Sequence, residues 1–403
     1  MKYVILLGDG MADEPVGELA GKTPLQAAAT PNMDYLAANG VIGTVRTVPE
    51  GLPPGSDVAN LSVMGYDPCK YYTGRSPLEA VSMGVDLGEN DVAFRCNLVT
   101  LSDNGIYEEK TMIDYSSDEI STLEAKELIE DIDKRLSNDF IHFYPGISYR
   151  HLLVWKGGPV SSDLTPPHDI SGRFITEYLP KGDGYETLIY LMKESNKILP
   201  EHPVNLRRKK EKGLRPATSI WLWGQGKKPA LPKFIDKYGL TGSVISAVDL
   251  IKGIGICAGL KVVEVEGATG NIHTNFRGKA LAALEELSKG KDFVYIHVEA
   301  PDEAGHRGEL SNKVKAIEEV DKMLAELLNG LSQFKDYRIM LLPDHPTPMS
   351  IRTHSSSPVP FVIYTSGINT NNKIKSYNEE AAEQSDLIFS TGHELMDYFI
   401  RRK

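Results

Sequence analysis

Acidic residues and histidines occur together after apolar segments in three parts of this sequence. Asp302 and His306 stand four positions apart in Asp-Glu-Ala-Gly-His, a spacing that puts both side chains on one face of a helical turn. The pair Asp344-His345 follows a second apolar segment, and Asp9 follows a third near the start of the chain. Carboxylate and imidazole groups suit a divalent cation. These residues predict a metal site if the fold brings them together.

A further histidine, His354, lies in a short loop after the Asp344-His345 motif. The set then holds three carboxylates and three imidazoles, enough for two ions with mixed oxygen and nitrogen ligands. We favour manganese, with zinc and magnesium as alternatives, because so many histidines suit magnesium alone poorly. Each motif is weak by itself, since acidic residues are also common caps at helix starts. Their shared position after apolar segments favours the metal interpretation.

One serine lies where it could act as a nucleophile. Ser56 follows Pro53-Pro54-Gly55 at the predicted start of a helix. The free N–H groups and positive end of a helix attract a phosphoryl group, and a neighbouring cation can hold a serine oxygen in its deprotonated form. The alternative is that Ser56 only caps the helix. The choice depends on whether the predicted metal site lies beside it.

Three apolar segments predict the strands that position these residues. They are Tyr3–Leu7, 292–298 and 338–343, and each leads into an acidic residue. Residues 313–331, between the last two, carry apolar side chains at helical spacing. This alternation predicts an α/β fold with a mostly parallel sheet flanked by helices, in which ligands gather at the carboxyl ends of the strands.

The middle of the chain differs in character from both ends. Residues 102–215 contain charge-rich helical stretches and the basic cluster 207–212, and 219–223 then reads as a strand that returns the chain to the core. We therefore predict a catalytic domain made of residues 1–101 and 216–403, with an inserted smaller α+β cap domain at 102–215.

The overall composition excludes several classes of protein. The 403 residues carry a formal net charge of -11, which argues against nucleic acid or an anionic membrane as the main partner. Three widely separated cysteines indicate neither a disulfide framework nor a thiolate zinc site. The first apolar run is too short for a signal peptide or a membrane span. We expect a cytoplasmic protein.

Taken together, the motifs resemble the archaeal-type cofactor-independent phosphoglycerate mutases of the alkaline phosphatase superfamily. The matching segments are 4–13, 55–66, 302–306, 343–348 and Thr353-His354. The resemblance implies an alkaline-phosphatase-like fold in which Ser56 becomes phosphorylated during turnover. It implies one ion surrounded by Asp9, Ser56, Asp344 and His345. It implies a second ion surrounded by Asp302, His306 and His354. The strand-end argument gathers the same residues but does not divide them between the ions.

The resemblance also implies a substrate and a place for it. The family interconverts 3-phosphoglycerate and 2-phosphoglycerate, so we expect a small phosphorylated hydroxy acid. The expected substrate-binding residues in the middle of the chain are His168, Asp169, Arg173, Arg150, Gln225 and Lys227. Larger bacterial members carry an arginine-rich segment where this chain has the last two, which leaves the phosphate-clamping residues open. His297 and His393 are interpreted as core or surface residues.

Other functions remain as alternatives at this point. A metal-dependent phosphatase, or a phosphotransferase acting on another small hydroxy acid, would need the same ligand set. A homoserine kinase-like activity is one such case, although the sequence has no GxxxxGK[ST] loop. An inactive binding protein is disfavoured because it would have no use for all of the metal-type residues and Ser56. The oligomeric state stays open, and a homo-oligomer is compatible with the sequence.

Overall fold

The structure is a computed structural model that describes residues 1–103, 105–368, 370 and 373–401. It divides into two compact units. The first combines Met1–Tyr72 with Ala230–Lys403, and the second is the continuous segment Thr73–Pro229. Within the described residues, no helix is long and apolar enough to cross a membrane.

The strands are numbered along the chain. They are β1 (Lys2–Gly8), β2 (Val41–Val45), β3 (Asp91–Leu101), β4 (Met112–Asp114), β5 (Ile141–Ile147), β6 (Arg150–Lys156), β7 (Ser219–Lys227), β8 (Gly242–Ile245), β9 (Lys261–Val262), β10 (Phe293–Val298), β11 (Tyr337–Leu342), β12 (Val359–Thr365) and β13 (Ile388–Phe389).

The α-helices are numbered in the same way. They are α1 (Pro24–Ala27), α2 (Pro31–Asn39), α3 (Ser56–Val63), α4 (Pro68–Tyr71), α5 (Ser76–Ser82), α6 (Thr122–Leu136), α7 (Tyr185–Ile198), α8 (Pro203–Glu211), α9 (Phe234–Tyr238), α10 (Asp249–Cys257), α11 (Phe276–Ser288), α12 (Ala300–Arg307), α13 (Leu310–Leu331), α14 (Glu379–Glu383) and α15 (Gly392–Arg401).

The first unit is built on an eight-stranded mixed sheet in the order β13-β2-β12-β11-β1-β10-β8-β9. Strand β1 pairs in parallel with both β10 and β11, and β12 is antiparallel to its two neighbours. The sheet is therefore mostly parallel, as predicted. Because β1 lies between β10 and β11, the carboxyl ends of all three strands meet at one edge of the sheet.

The central strands and the longest helix form as their sequences predict. Residues Val4–Leu7 of β1 are fully buried, which explains the continuous apolar run of a strand covered on both faces. Helix α13 spans Leu310–Leu331 and buries an apolar stripe that includes Ile317, Val320 and Leu324 in the core of the first unit. Helix α12, which carries Asp302 and His306, ends at Gly308 in the left-handed conformation (φ 69°).

The second unit contains an antiparallel sheet of five strands. Strand β3 pairs with β4 and β6 on its path through the sheet and also with β7. Helices α6 and α7 add apolar residues, such as Leu128 and Leu191, to a core that the strands share. This is the smaller α+β unit that the sequence predicted.

The boundaries of the second unit differ from the predicted 102 and 215. It begins at Thr73 and ends at Pro229, so it includes β3 and β7, which the prediction assigned to the catalytic domain. The reason is strand pairing, because β3 and β7 are hydrogen-bonded to each other from Val92–Lys227 to Val99–Ser219. Composition reveals charge-rich helices, but the sheet to which a strand belongs depends on its partners.

Candidate metal centre and nucleophile

The three predicted acidic positions lie at neighbouring strand ends. Asp9 follows β1, Asp344 follows β11 after one proline, and Asp302 lies in the first turn of α12, just beyond β10. Asp9 and Asp344 are completely buried, and Asp302 is 4% exposed. Three buried carboxylates at one edge of a sheet repel one another unless positive charge accompanies them.

One group of possible metal ligands surrounds Asp9. Ligand atoms of Asp9, His297 and Asp344 all lie within 4.8 Å of one another. His297 Nε2 lies 2.8 Å from Asp9 Oδ2. The Asp344 carboxylate is held in place by backbone amides, since its Oδ1 accepts hydrogen bonds from the N–H groups of Gly10 and His345 at 3.2 and 2.9 Å.

A second group consists of Asp302, His345 and His354, whose ligand atoms also lie within 4.8 Å of one another. His306 joins it, because its Nε2 lies 3.2 Å from Asp302 Oδ2 and 2.9 Å from His354 Nε2. The four-residue spacing of Asp302 and His306 within α12 accounts for the first of these contacts. The hydroxyl of Thr347 donates a hydrogen bond to Asp302 Oδ1 and so orients the carboxylate.

Ser56 is the first residue of α3, and its hydroxyl contacts one residue of each group. Ser56 Oγ lies 3.3 Å from Asp9 Oδ2 and 3.1 Å from His345 Nε2. The N-cap of the helix is Gly55, which has no side chain that could cap it. Ser56 is therefore not the N-cap, and the capping interpretation is wrong. The hydroxyl faces possible metal ligands instead of the N–H groups of the helix.

The predicted division of ligands between two ions stays a prediction, but two features of the structure bear on it. His345 Nε2 lies 3.6 Å from Asp9 Oδ1 and 3.4 Å from Asp344 Oδ2, so His345 stands between the two groups. His297 is buried in the core, as predicted, and its ring also lies within the first group of possible ligands. The sequence contained one indication of this position, because His297 is the only histidine in the buried, mostly apolar strand β10.

The atoms present fit a pair of divalent cations. Asp9 Oδ1 is buried and has no hydrogen-bond partner among the described residues. Burial, together with the negative charges of Asp344 and Asp302, raises the pKa of Asp9 well above its ordinary value. A bound cation would supply both a partner for this oxygen and the charge that keeps the carboxylate ionised.

In the second group the pKa of the carboxylate is lowered instead of raised. Burial raises the pKa of Asp302, but hydrogen bonds from His306 and His354 outweigh burial and hold the pKa well below its ordinary value. The hydrogen bond to Asp302 raises the pKa of His306 to about 9. His306 would have to lose this proton before it could bind a cation, because only a neutral imidazole can act as a metal ligand.

The second unit contains a set of side chains that touch in series. We call it the arginine–aromatic arc, and its members in order of contact are Arg95, Trp223, His168, Tyr115, Tyr149 and Arg150. The guanidinium of Arg95 lies 4.7 Å from the ring of Trp223, and that of Arg150 lies 5.7 Å from the ring of Tyr149. Two of the predicted substrate-binding residues, His168 and Arg150, are members of the arc.

Arg95, at one end of the arc, lies among other charged side chains. Arg95 is 6% exposed, and its nearest carboxylate, Glu79, also pairs with Arg75. Burial, together with the charges of Arg75 and Arg150, lowers the pKa of Arg95 to about 10, although the charge of Glu79 acts to raise it. Burial raises the pKa of Glu79, but the charges of Arg95, Arg75 and Arg150 outweigh it and hold the pKa below its ordinary value. Planar guanidinium groups of this kind pair well with carboxylate and phosphate anions.

A β-bulge accompanies Arg95. Arg95 pairs with Trp223 and Ala93 pairs with Gly226, so β7 carries one more residue than β3 between these two pairs. Gly224 takes up the left-handed conformation there (φ 62°). A bulge of this kind bends a strand and redirects its side chains, and bulges are common beside binding sites.

The remaining predicted substrate-binding residues have other contacts. Arg173 is exposed and donates a hydrogen bond to the hydroxyl of Tyr178 at 3.2 Å. Gln225 donates to the carbonyl of Val160 at 3.3 Å. Lys227 donates to Asn90 at 3.3 Å and Asp169 lies 3.6 Å from His168. The sequence did not single out Arg95, because one arginine inside a strand resembles an ordinary paired residue.

Two protein-family models match overlapping parts of the chain. Residues 37–205 match the family model described as 2,3-bisphosphoglycerate-independent phosphoglycerate mutase. Residues 183–349 match the model described as type I phosphodiesterase / nucleotide pyrophosphatase. With the mixed sheet and the two groups of metal-type residues, these matches define an alkaline-phosphatase-like α/β enzyme.

Full-length relatives identify the family within that class. A Geobacter sulfurreducens protein named "Probable 2,3-bisphosphoglycerate-independent phosphoglycerate mutase" is 56% identical, with 100% of both chains covered. A Methanosarcina barkeri protein named 2,3-bisphosphoglycerate-independent phosphoglycerate mutase is 51% identical, also with 100% of both covered. The chain belongs to the 2,3-bisphosphoglycerate-independent phosphoglycerate mutase family.

Solved structures agree with this assignment. A protein from Pyrococcus horikoshii is 31% identical, with a TM-score of 0.83 and coverage of 99% of this chain and 96% of that one. A cofactor-independent phosphoglycerate mutase from Thermoplasma acidophilum is 26% identical, with a TM-score of 0.65 and coverage of 100% and 99%. The resemblance inferred from short motifs is confirmed over the whole length of the chain.

Proposed function

We propose that this protein interconverts 3-phosphoglycerate and 2-phosphoglycerate through a phosphoserine at Ser56, with two divalent cations bound. The observation that carries the proposal is the position of Ser56 Oγ, 3.3 Å from Asp9 Oδ2 and 3.1 Å from His345 Nε2. A hydroxyl among metal-type ligands at a helix start is arranged for phosphoryl transfer rather than for structure.

The residues of the first unit would hold the cations. We assign Asp9, Ser56, Asp344 and His345 to one ion and Asp302, His306 and His354 to the other, with manganese as the favoured metal. When bound, such ions lower the pKa of the serine hydroxyl and neutralise phosphate oxygens. His297 is not assigned as a direct ligand, because its Nε2 already lies 2.8 Å from Asp9 and can orient that carboxylate.

The chemistry at Ser56 has two balanced halves. Ser56 Oγ forms a bond to phosphorus while the bond from phosphorus to one glycerate oxygen breaks, and the serine proton ends on that oxygen. The other glycerate hydroxyl then attacks phosphorus while the bond from phosphorus to Ser56 Oγ breaks, and its proton ends on Ser56 Oγ, which restores the serine hydroxyl. The N-terminal end of α3 stabilises the negative phosphoryl group on Ser56 during the interval.

The second unit is proposed to hold the acid. A guanidinium stands at each end of the arginine–aromatic arc, and a planar guanidinium pairs with a carboxylate or a phosphate through two parallel hydrogen bonds. Arg95 is prearranged for this role because Trp223 and burial restrict its side chain. The glycerate must stay bound between the two phosphoryl transfers, because without it the phosphoserine would react with water.

A direct assay tests the proposal. The purified protein is stripped of metal, reloaded with manganese and incubated with 3-phosphoglycerate, and phosphorus NMR follows 2-phosphoglycerate and free phosphate together. We expect 2-phosphoglycerate with little free phosphate. Free phosphate without the isomer would show a phosphatase instead. Absence of both products would reject phosphoglycerate as the substrate, and homoserine with a nucleotide would be assayed next.

A further inference from the structure

A buried amide connects the proposed nucleophile to one of the proposed metal ligands. Asn60 lies one turn after Ser56 in α3 and is completely buried. Its Nδ2 donates hydrogen bonds to the carbonyl oxygen of Ser56 and to Asp344 Oδ2, both at 2.8 Å. One NH2 group therefore ties the first turn of the helix to a carboxylate that is 284 residues away in the sequence.

The third hydrogen bond of this amide comes from the sheet. The hydroxyl of Tyr295 donates to Asn60 Oδ1 at 2.5 Å, and Tyr295 is also completely buried. Tyr295 and His297 are two positions apart in β10, so both side chains project from the same face of the strand. The same face of β10 thus contacts Asp9 directly, through His297, and Asp344 indirectly, through Asn60.

The amide of Asn60 has a single favourable orientation. Ser56 O and Asp344 Oδ2 are both acceptors, so rotation of the amide by 180° would place its oxygen against two other oxygens. The hydroxyl of Tyr295 must then donate, because the group that faces it is the amide oxygen. The direction of each hydrogen bond in this donor chain is therefore fixed: Tyr295 donates to Asn60, and Asn60 donates to Asp344 and to Ser56.

We propose that Asn60 and Tyr295 are positioning residues for phosphoryl transfer, with Tyr295 acting only through Asn60. They fix the distance between the start of α3 and the carboxylate of Asp344. This fixes the position of Ser56 Oγ relative to the proposed metal ligands. Neither residue is proposed to contact substrate. The kinetic part of this inference rests on the proposed function, whereas its metal-binding part does not.

The first test is Tyr295→Phe, which removes one hydroxyl and little else. Partners that orient metal ligands typically change metal affinity or activity by about 10- to 100-fold. We expect Tyr295→Phe to weaken manganese binding to the resting protein by about 10-fold in calorimetry and to lower kcat to a similar degree. KM for 3-phosphoglycerate should not change, because the acid is held elsewhere. Unchanged manganese affinity and kcat would overturn the proposal.

The control is Tyr377→Phe. Tyr377 is equally buried in the same unit, and its hydroxyl donates to the carbonyl of Pro360 at 2.9 Å. Each substitution leaves one buried acceptor without its donor, so both variants should lose similar thermal stability. Only Tyr295→Phe should lose manganese affinity and kcat. Equal losses in both variants would show a structural effect and reject the positioning role.

A double-mutant cycle tests whether Tyr295 acts through Asn60. In the Asn60→Ala background the hydroxyl of Tyr295 has lost its acceptor, so adding Tyr295→Phe should cost no further manganese affinity. Full additivity of the two losses would refute the donor chain. If the wild-type protein fails to convert 3-phosphoglycerate while the cycle in manganese affinity holds, the proposed function is wrong and the positioning inference survives.

Discussion

His297 Nε2 lies 2.8 Å from Asp9 Oδ2; His297 belongs to β10, and Asp9 directly follows the neighbouring parallel strand β1. His297 is the partner of Leu7 in the register of β10 against β1, so the contact follows directly from the pairing of these strands. Burial lowers the pKa of His297 to about 3, which keeps the imidazole neutral. A neutral imidazole can orient a carboxylate without competing with a cation for its charge.

Replacement of His297 by alanine should weaken manganese binding by about 10- to 100-fold, because Asp9 would lose the group that orients it. Isothermal titration calorimetry on metal-free protein measures the change. His393→Ala is the control, since His393 lies in the same unit and outside both groups of ligands. Equal affinity in the two variants would show that His297 is a structural residue.

Replacement of Ser56 by alanine should lower kcat by at least about 1,000-fold, because the proposed phosphoryl acceptor is gone. Manganese binding should weaken far less, since six other proposed ligands remain. Mass spectrometry should find phosphate on the peptide containing Ser56 in the wild type only. Ser62→Ala is the control: Ser62 lies in the same helix, and its buried hydroxyl has no partner among the described residues. Substantial turnover by Ser56→Ala would remove the serine from its role.

Replacement of Arg95 by lysine should raise KM for 3-phosphoglycerate by about 10- to 100-fold, since an ammonium keeps the charge but loses the planar pair of donors. Manganese affinity should not change, because Arg95 belongs to the second unit. Arg207→Lys, at an exposed arginine on α8, serves as the control. An unaltered KM in Arg95→Lys would place the acid away from the arginine–aromatic arc.

Glu124 should make the second unit sensitive to acid. Burial raises its pKa, but hydrogen bonds from Lys212 and Ser121 and the charge of Arg208 lower it from 4.5 to about 2. The pKa is lower in the folded state, so the stabilisation is complete above pH 4.5 and is lost as the pH falls through 2. Glu124→Gln should therefore reduce stability by up to about 3 kcal/mol at pH 7.

Tryptophan fluorescence in urea can measure this, because all three tryptophans lie in the second unit. The difference between wild type and Glu124→Gln should shrink as the pH falls below 4.5. Glu127→Gln is the control, since Glu127 is 60% exposed and lies 3.8 Å from Arg207. A difference that does not depend on pH would mean that the charge of Glu124 contributes nothing.

The sequence predicted the parts of the site that depend on strand ends. Asp9 and Asp344 follow continuous apolar strands, and parallel pairing brings such ends together regardless of their separation along the chain. The i, i+4 spacing of Asp302 and His306 is likewise a local property of α12. Family resemblance supplied the role of Ser56, which composition and spacing alone left open.

The parts that the sequence did not predict depend on contacts across distant elements. Asn60 and Tyr295 look like ordinary helix and strand residues until the register of β10 places them together. Arg95 gains its significance from Trp223 and from the bulge in β7. The second unit begins at residue 73 instead of the predicted 102 for the same reason, because β3 belongs to the sheet of its pairing partners.

Because the first unit consists of two segments on either side of the second, the second unit can fold first during synthesis. When the ribosome has released residue 229, every strand of the second unit is present, and this unit can fold while translation continues. Strand β1 must wait, because its neighbours β10 and β11 begin at Phe293 and Tyr337. The apolar segment Val4–Leu7 therefore lacks both of its strand partners until most of the chain has been made.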